Sequence, residues 1–277
     1  MNARARRYEL APGEVGWPTV QLCLGALTVQ TACALGAMQG RFPAAVSVLA
    51  ASACAYIQFT VAHDACHGTA SRKPWLNEAL GVTAALVLFA PFAALRRNHL
   101  HHHAHTNDPD EDPDFWVAGT TVIGTTARLF TQHARHYWCY FSKLCRRDKA
   151  LRQAFVLLGF LAACLAAAVH LGHAKDFLLY WFLPSQLGSA ALALTFDYWP
   201  HRPHRARGRM KDTAVIAPRW LDPFFLNQNI HLLHHLYPTI PWYRYRAAFD
   251  ELEPAIRAGG GMVWDFRTAL SKLRPAA

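Results

Sequence analysis

Eight histidines fall into three groups whose spacing suits metal binding: His63 and His67; His99, His102 and His103; and His231, His234 and His235. Residues three and four positions apart share one face of a helix, so each group offers imidazoles stacked a turn apart. Histidines that merely hydrogen bond or anchor at a membrane surface need no such periodicity, so the repeated spacing favours coordination. One tetrahedral ion takes about four ligands, and the set therefore suits two metal ions. Imidazole binds zinc, copper, iron and nickel alike, which leaves the element open. His201, where the chain leaves its last apolar stretch, is a further candidate ligand. His101, His105, His133, His136, His170, His173 and His204 do not fall on matching positions and read as surface, interface or supporting residues.

The elements that must position these groups are membrane helices. The 277 residues are 53% hydrophobic and 17% charged, well below the roughly 25% charged typical of soluble domains. Four stretches, 17–38, 43–62, 151–171 and 177–196, are each near the roughly 20 apolar residues a helix needs to cross a bilayer. The first follows Arg4, Arg6 and Arg7 but precedes no small-residue cleavage site, so it reads as a retained span rather than a signal peptide. Short turns at 39–42 and 172–176 join the spans into two hairpins. The seven cysteines form no Cys-x-x-Cys pair and read as small buried fillers, Cys66 included.

Charge sets the expected orientation. With a cytoplasmic N-terminus the two hairpin turns face outward and hold only Arg41 and Lys175 of the 28 basic residues, as retention of Lys and Arg on the cytoplasmic side requires. A fifth apolar run, 79–95, cannot cross, because it would separate the first two histidine groups. It is expected to be re-entrant or interfacial, broken at Pro91. The fold expectation is an all-α integral membrane protein of the inner or plasma membrane, one domain over 1–277. Cytoplasmic regions 63–150 and 197–277 form a helical cap holding the site, and both termini are cytoplasmic. The formal charge of +10 does not indicate nucleic acid, since there is no compact basic domain or groove-entering motif.

The spacing HxxxH, HxxHH and HxxHH between helical hairpins resembles the membrane fatty-acid desaturase and hydroxylase superfamily, and within it cyanobacterial-type β-carotene hydroxylases. The resemblance rests on 99–109, Asp112 to Asp114, Pro200 to Pro203 and Gln228 to Trp242, and runs from about Ala62 to Asp250. It implies two iron ions held almost entirely by histidine, using O2 and two external electrons to break an unactivated C–H bond. Carried over by position, the ligands are His63, His67, His99, His102, His103, His231, His234 and His235, with His201 as a ninth and no catalytic residue beyond them. Asp64 and Asn229 fall where groups that orient imidazoles are expected.

The implied reaction is hydroxylation of the β-ionone ring of a carotenoid, from β-carotene to zeaxanthin-type products. Fatty-acyl desaturases share all three spacings, and His63 to Gly68 with Asn77 also resembles carotenoid ketolases, so an acyl-lipid substrate or a ketone product stays open. A carotenoid is about as long as the roughly 30 Å bilayer core, which lets one ring reach an interfacial site. Phe59, Phe89, Phe92, Phe115, Trp116, Trp199 and Trp242 are candidates for such a channel, or interfacial anchors. Electrons are expected from ferredoxin and its reductase, for which Arg202, Arg205, Arg207, Arg209 and Lys211 offer a basic surface, unless that run instead meets anionic lipid. The acidic block 107–116 reads either as a solvated loop or as the source of a carboxylate that hydrogen bonds a ligand imidazole.

Overall fold

The computed structural model describes residues 3–145 and 149–273; the rest of the expected 1–277 domain lies outside that description. Four helices have the length and apolarity to cross a membrane. They are α1 (Trp17–Met38), α2 (Ala44–Cys66), α6 (Lys149–His170) and a fourth span, Ala174–Tyr198, whose regular centre is α7 (Leu183–Leu192). Pro18 opens α1 where a missing N–H costs nothing. The expected ends at 38, 62, 171 and 196 agree to within a few residues, α2 running one turn further to carry His63. Small residues set the approach of α2 and the fourth span: Gly188 lies against Ala55 and the Ser52 carbonyl, leaving no room for a larger side chain.

The run expected to break at Pro91 does so. Helices α3 (Pro74–Val87) and α4 (Phe92–His105) meet at 97°. Pro91 caps α4 in an extended conformation, and Phe89 takes a positive φ of 54°. The bend is locked from inside, because a Cβ at Gly81 would clash with the edge of the Phe92 ring. Arg96 lies 4.2 Å above that ring and donates to Glu78 at 2.7 Å. Gly81→Ala should therefore destabilise by about 1–3 kcal/mol through overpacking. The check is the Tm of the detergent-solubilised protein, with Phe92→Leu added to relieve the clash; an unshifted Tm in the single variant would remove this lock from the account.

Between α4 and α6 lies α5 (Val122–Cys139), capped by Thr121 Oγ1, which accepts from the Gly124 N–H at 3.0 Å. Its outer face exposes Val122, Ile123, Phe130 and Trp138, while Gln132 and Cys139 are buried. The C-terminal cap holds α8 (His231–Leu236), α9 (Tyr245–Ala258) and α10 (Phe266–Ser271). It also holds a parallel pair, β1 (Ala214–Ile216) with β2 (Met262–Trp264), a small departure from an all-helical reading. Leu232, Leu233 and Leu236 of α8 are buried with Phe249, Leu252 and Ile256 of α9. Core packing of the leucines thus turns the histidine face of α8 the other way.

The N-terminal segment is fastened to the same cap. Tyr8 donates to Glu251 at 2.7 Å, Thr239 to Glu9 at 2.8 Å, and Arg244 to Glu14 at 2.6 Å. N-terminus, cap and histidine groups thus share one side of the four spans.

Candidate metal centre

Nine imidazoles converge where α2, α4, α8 and the loop after the fourth span meet. His63 closes α2 and His67 is the residue at its C-terminal cap. His99, His102 and His103 come from α4 and His231, His234 and His235 from α8. His201 follows a π-helical turn at Ala193–Tyr198, in which the Trp199 N–H reaches back five residues to Leu194. Such turns often mark functional sites.

The donor atoms form two groups of four, each with its ligating atoms within 4.8 Å of one another: His63, His67, His99 and His234, and His102, His201, His231 and His235. In the first, Nε2–Nε2 separations are 3.0 Å for His63 with His234 and 2.7 Å for His67 with His99. In the second they are 3.1 Å for His201 with His231 and 3.4 Å for His102 with His235. His103 joins them: its Nε2 lies 3.2 Å from His99 and 2.8 Å from His234, and its ring stacks on His235. Helices α4 and α8 each feed both groups, whereas α2 supplies His63 and His67 to the first alone, so residues that share a face of α4 or α8 are divided between two centres.

The opposite ring edges fix some tautomers. His102 donates through Nδ1–H to Asp112 Oδ1 at 2.8 Å, with Asp114 Oδ2 at 3.3 Å. The Tyr245 hydroxyl lies 2.8 Å from His234 Nδ1. The carboxylate turns Nε2 of His102 inward, where it faces other imidazole nitrogens. Converging nitrogen lone pairs repel unless a cation sits between them, so two groups of four imidazoles fit two metal ions of borderline softness, iron among them.

Electrostatics keep most of the set neutral. Burial pushes His67 down to about 3, and burial together with the neighbouring His102 pushes His231 down to about 3. His102 differs: burial would depress it, but Asp112 and Asp114 outweigh that and raise it to about 9. The depressed groups take up protons more readily in the unfolded chain, near 6.5. Their contribution to the folded, metal-competent state is present above that pH and declines as pH falls toward 3. Metal retained after desalting should fall by more than half between pH ~6.5 and pH ~3, and unchanged retention across that window would refute an imidazole-held centre.

Other sequence expectations are redistributed. Asp64 Oδ1 stands 4.0 Å from His63 Nδ1, too far to orient it. Its carboxylate accepts instead from Thr19 Oγ1 at 3.2 Å and the Trp242 N–H at 3.4 Å, tying α1 and the cap to α2. Asn229 donates to the Ile216 carbonyl and to Asp222, both at 2.9 Å, bracing the loop before α8 rather than an imidazole. The carboxylates that do reach a ligand imidazole, Asp112 and Asp114, come from the acidic block, as its hydrogen-bonding reading anticipates. Arg202 is buried and donates to the Lys272 carbonyl, so it leaves the basic surface, while Arg205, Arg207, Arg209 and Lys211 remain exposed. The cysteines are free thiols.

A pocket of about 870 Å³, mouth included, reaches the imidazoles. Its apolar wall includes Leu88, Pro91, Leu95, Leu192 and Phe196, and His99, His102 and His231 lie at its floor. Of the aromatic residues proposed for a channel, Phe59 lines this pocket. Phe92 is spent on the α3–α4 bend, Phe115 lies against His204, and Trp242 donates to Thr19. His136, read among the surface, interface or supporting residues, supports the site: it meets Asp114 Oδ1 at 2.6 Å. Sequence reasoning missed Asp197 beside them, whose signal was a charged residue near the end of an apolar span.

A family model described as fatty acid desaturase matches residues 41–267, most of the chain. The chain belongs to the fatty acid desaturase family. It is 32% identical over 193 residues to a β-carotene ketolase of Paracoccus sp., covering 67% of this chain and 71% of that one. It is 24% identical over 225 residues to an sn-1 oleoyl-lipid 12-desaturase of Anabaena variabilis, covering 70% and 64%, and 27% identical over 218 residues to a dihydrorhizobitoxine desaturase of Bradyrhizobium elkanii, covering 68% and 62%. The chain thus spans under two thirds of the length of the two desaturases.

Proposed function

We propose that this protein is an O2-dependent di-iron oxygenase of the inner membrane that hydroxylates the β-ionone ring of a carotenoid. The observation that carries the reading is the convergence of nine imidazoles, in two groups, at the floor of an apolar pocket beside the spans. His63, His67, His99 and His234 would hold one iron and His102, His201, His231 and His235 the other, with His103 between them. A relative named for β-carotene supports a carotenoid. The balanced reaction is C–H + O2 + 2 electrons + 2 protons giving C–OH + H2O, with electrons from a ferredoxin-class protein and its reductase. The distribution of Lys and Arg supports a cytoplasmic location for the centre and both termini.

Bound iron supplies the O2 and C–H chemistry; the protein positions the carbon. Asp112 holds the His102 tautomer, Phe196 packs over His63 and His231 with ring centroids 5.9 and 5.7 Å away, and the apolar wall keeps bulk water from the reacting carbon. The relatives favour two other outcomes of the same chemistry, a ring ketone or an acyl double bond. Mass spectrometry of pigments and lipids separates them, using cells that accumulate β-carotene and express either the parent or His234→Ala. Ring hydroxyls absent from the variant are the expected product. A ketone, or unchanged pigment with new lipid double bonds, would replace the hydroxylase reading.

A further inference from the structure

The pocket has one wall that a pure hydrocarbon does not use. Asn98 and Gln132 line it, and each is only 3% exposed. The Asn98 amide nitrogen donates to the His136 carbonyl at 2.9 Å, and that of Gln132 to Asp114 Oδ1 at 3.2 Å. These bonds identify the amide oxygens, Asn98 Oδ1 and Gln132 Oε1, and both are buried without a partner. Asp197, at the end of the fourth span, lines the same pocket and makes no hydrogen bond or ion pair among the described residues. One of its oxygens lies within 4.8 Å of the ligating atoms of Asp114 and His136.

Unpaired buried acceptors are costly, and an ionisable residue at the end of a membrane span is there for function. A wall of acceptors calls for a hydrogen-bond donor; a hydroxyl has one proton to give, and Asp197, which makes no bond of its own among the described residues, is the acceptor for it. A metal ion is disfavoured, because Asp114 Oδ1 already receives Gln132 and His136. An ammonium would lose its hydration against the apolar wall, whereas a hydroxyl donates a proton at a far smaller desolvation cost.

We propose that Asp197, on the polar wall it shares with Asn98 and Gln132, accepts the proton of a hydroxyl already present on the ring presented to the metal centre. This rests on the carotenoid reading above and narrows it. The preferred substrate is a hydroxylated carotenoid, so an earlier ring hydroxylation must supply it. The enzyme then adds one oxygen atom at another ring C–H, with the same consumption of O2, two electrons and two protons.

The test uses the full-length, iron-loaded enzyme in lipid nanodiscs with a reduced ferredoxin, offered β-carotene and its 3,3′-diol in competition. The diol should be favoured at least tenfold in kcat/KM, because a site built to pair a hydroxyl rejects the analogue lacking it far more strongly than an apolar wall can. Asp197→Leu and, independently, Gln132→Leu should bring that ratio below about threefold and weaken diol binding measured by tryptophan quenching, with two irons per chain retained. Asp197→Asn, which keeps an acceptor oxygen, should preserve most of the preference.

Equal or reversed preference in the parent overturns the inference while leaving ring hydroxylation standing. A ratio unchanged in both leucine variants overturns it too, as does a third metal equivalent that Asp197→Leu removes. Failure of the parent to oxidise either pigment overturns the carotenoid reading and this inference with it.

Discussion

Replacing His234 with alanine should abolish metal retention and turnover together while leaving the chain folded. The residue is fully buried, with Nε2 3.0 Å from His63, 2.8 Å from His103 and Nδ1 2.8 Å from the Tyr245 hydroxyl. Its loss leaves one group with three imidazoles and deprives His103 of its nearest neighbour. Groups that only orient a ligand cost 10–100-fold when removed, so loss of a ligand itself should exceed about a hundredfold in product formation. Folding should survive, because α8 is anchored by Leu232, Leu233 and Leu236 on its other face. Metal per chain by mass spectrometry, beside gel filtration in detergent, is the check. Product formation within tenfold of the parent, or undiminished metal, would remove His234 from the centre.

Much of this arrangement is written in short-range pattern. Apolar length gives the four spans, Pro91 gives the break, and i, i+3, i+4 spacing gives three faces of histidine. What spacing cannot give is partition. His99 and His102 are one turn apart on α4, yet they point to different groups, because that depends on how α2 and α8 cross α4. Asp64 illustrates another limit. A carboxylate next to a ligand in sequence projects about 100° away around the helix, and Asp64 therefore meets Thr19 and Trp242 rather than the His63 ring. The groups that do support the site, Asp112, Asp114 and Tyr245, come from other segments. Helix α5 is not delimited within the cytoplasmic region 63–150 of the expected cap, although its 3.6-residue alternation places Gln132 and His136 on the pocket and Phe130 outward.

Removing the charge of Asp112 should loosen the metal by about tenfold or more, within the 10–100-fold range for partners that orient a ligand. Asp112 is a strong acceptor: Oδ1 receives His102 Nδ1–H and the Asp114 N–H, each at 2.8 Å, and Oδ2 receives the Asn107 N–H at 2.8 Å. Because it also organises the turn that follows α4, Asp112→Leu would disturb folding as well as the ligand. Asp112→Asn keeps an acceptor for His102 but removes the negative charge that, with Asp114, holds that imidazole up at about 9. The lowered basicity should weaken the bond from Nε2 to a metal. Tyr245→Phe is the companion test, deleting only a neutral hydroxyl beside His234, and should cost less than Asp112→Asn because a charged acceptor orients and polarises an imidazole more strongly. Competitive chelation titrations rank the variants. An Asp112→Asn protein that holds metal as tightly as the parent would mean that Asp114 alone sustains His102, and would shift the supporting role two residues along the acidic block.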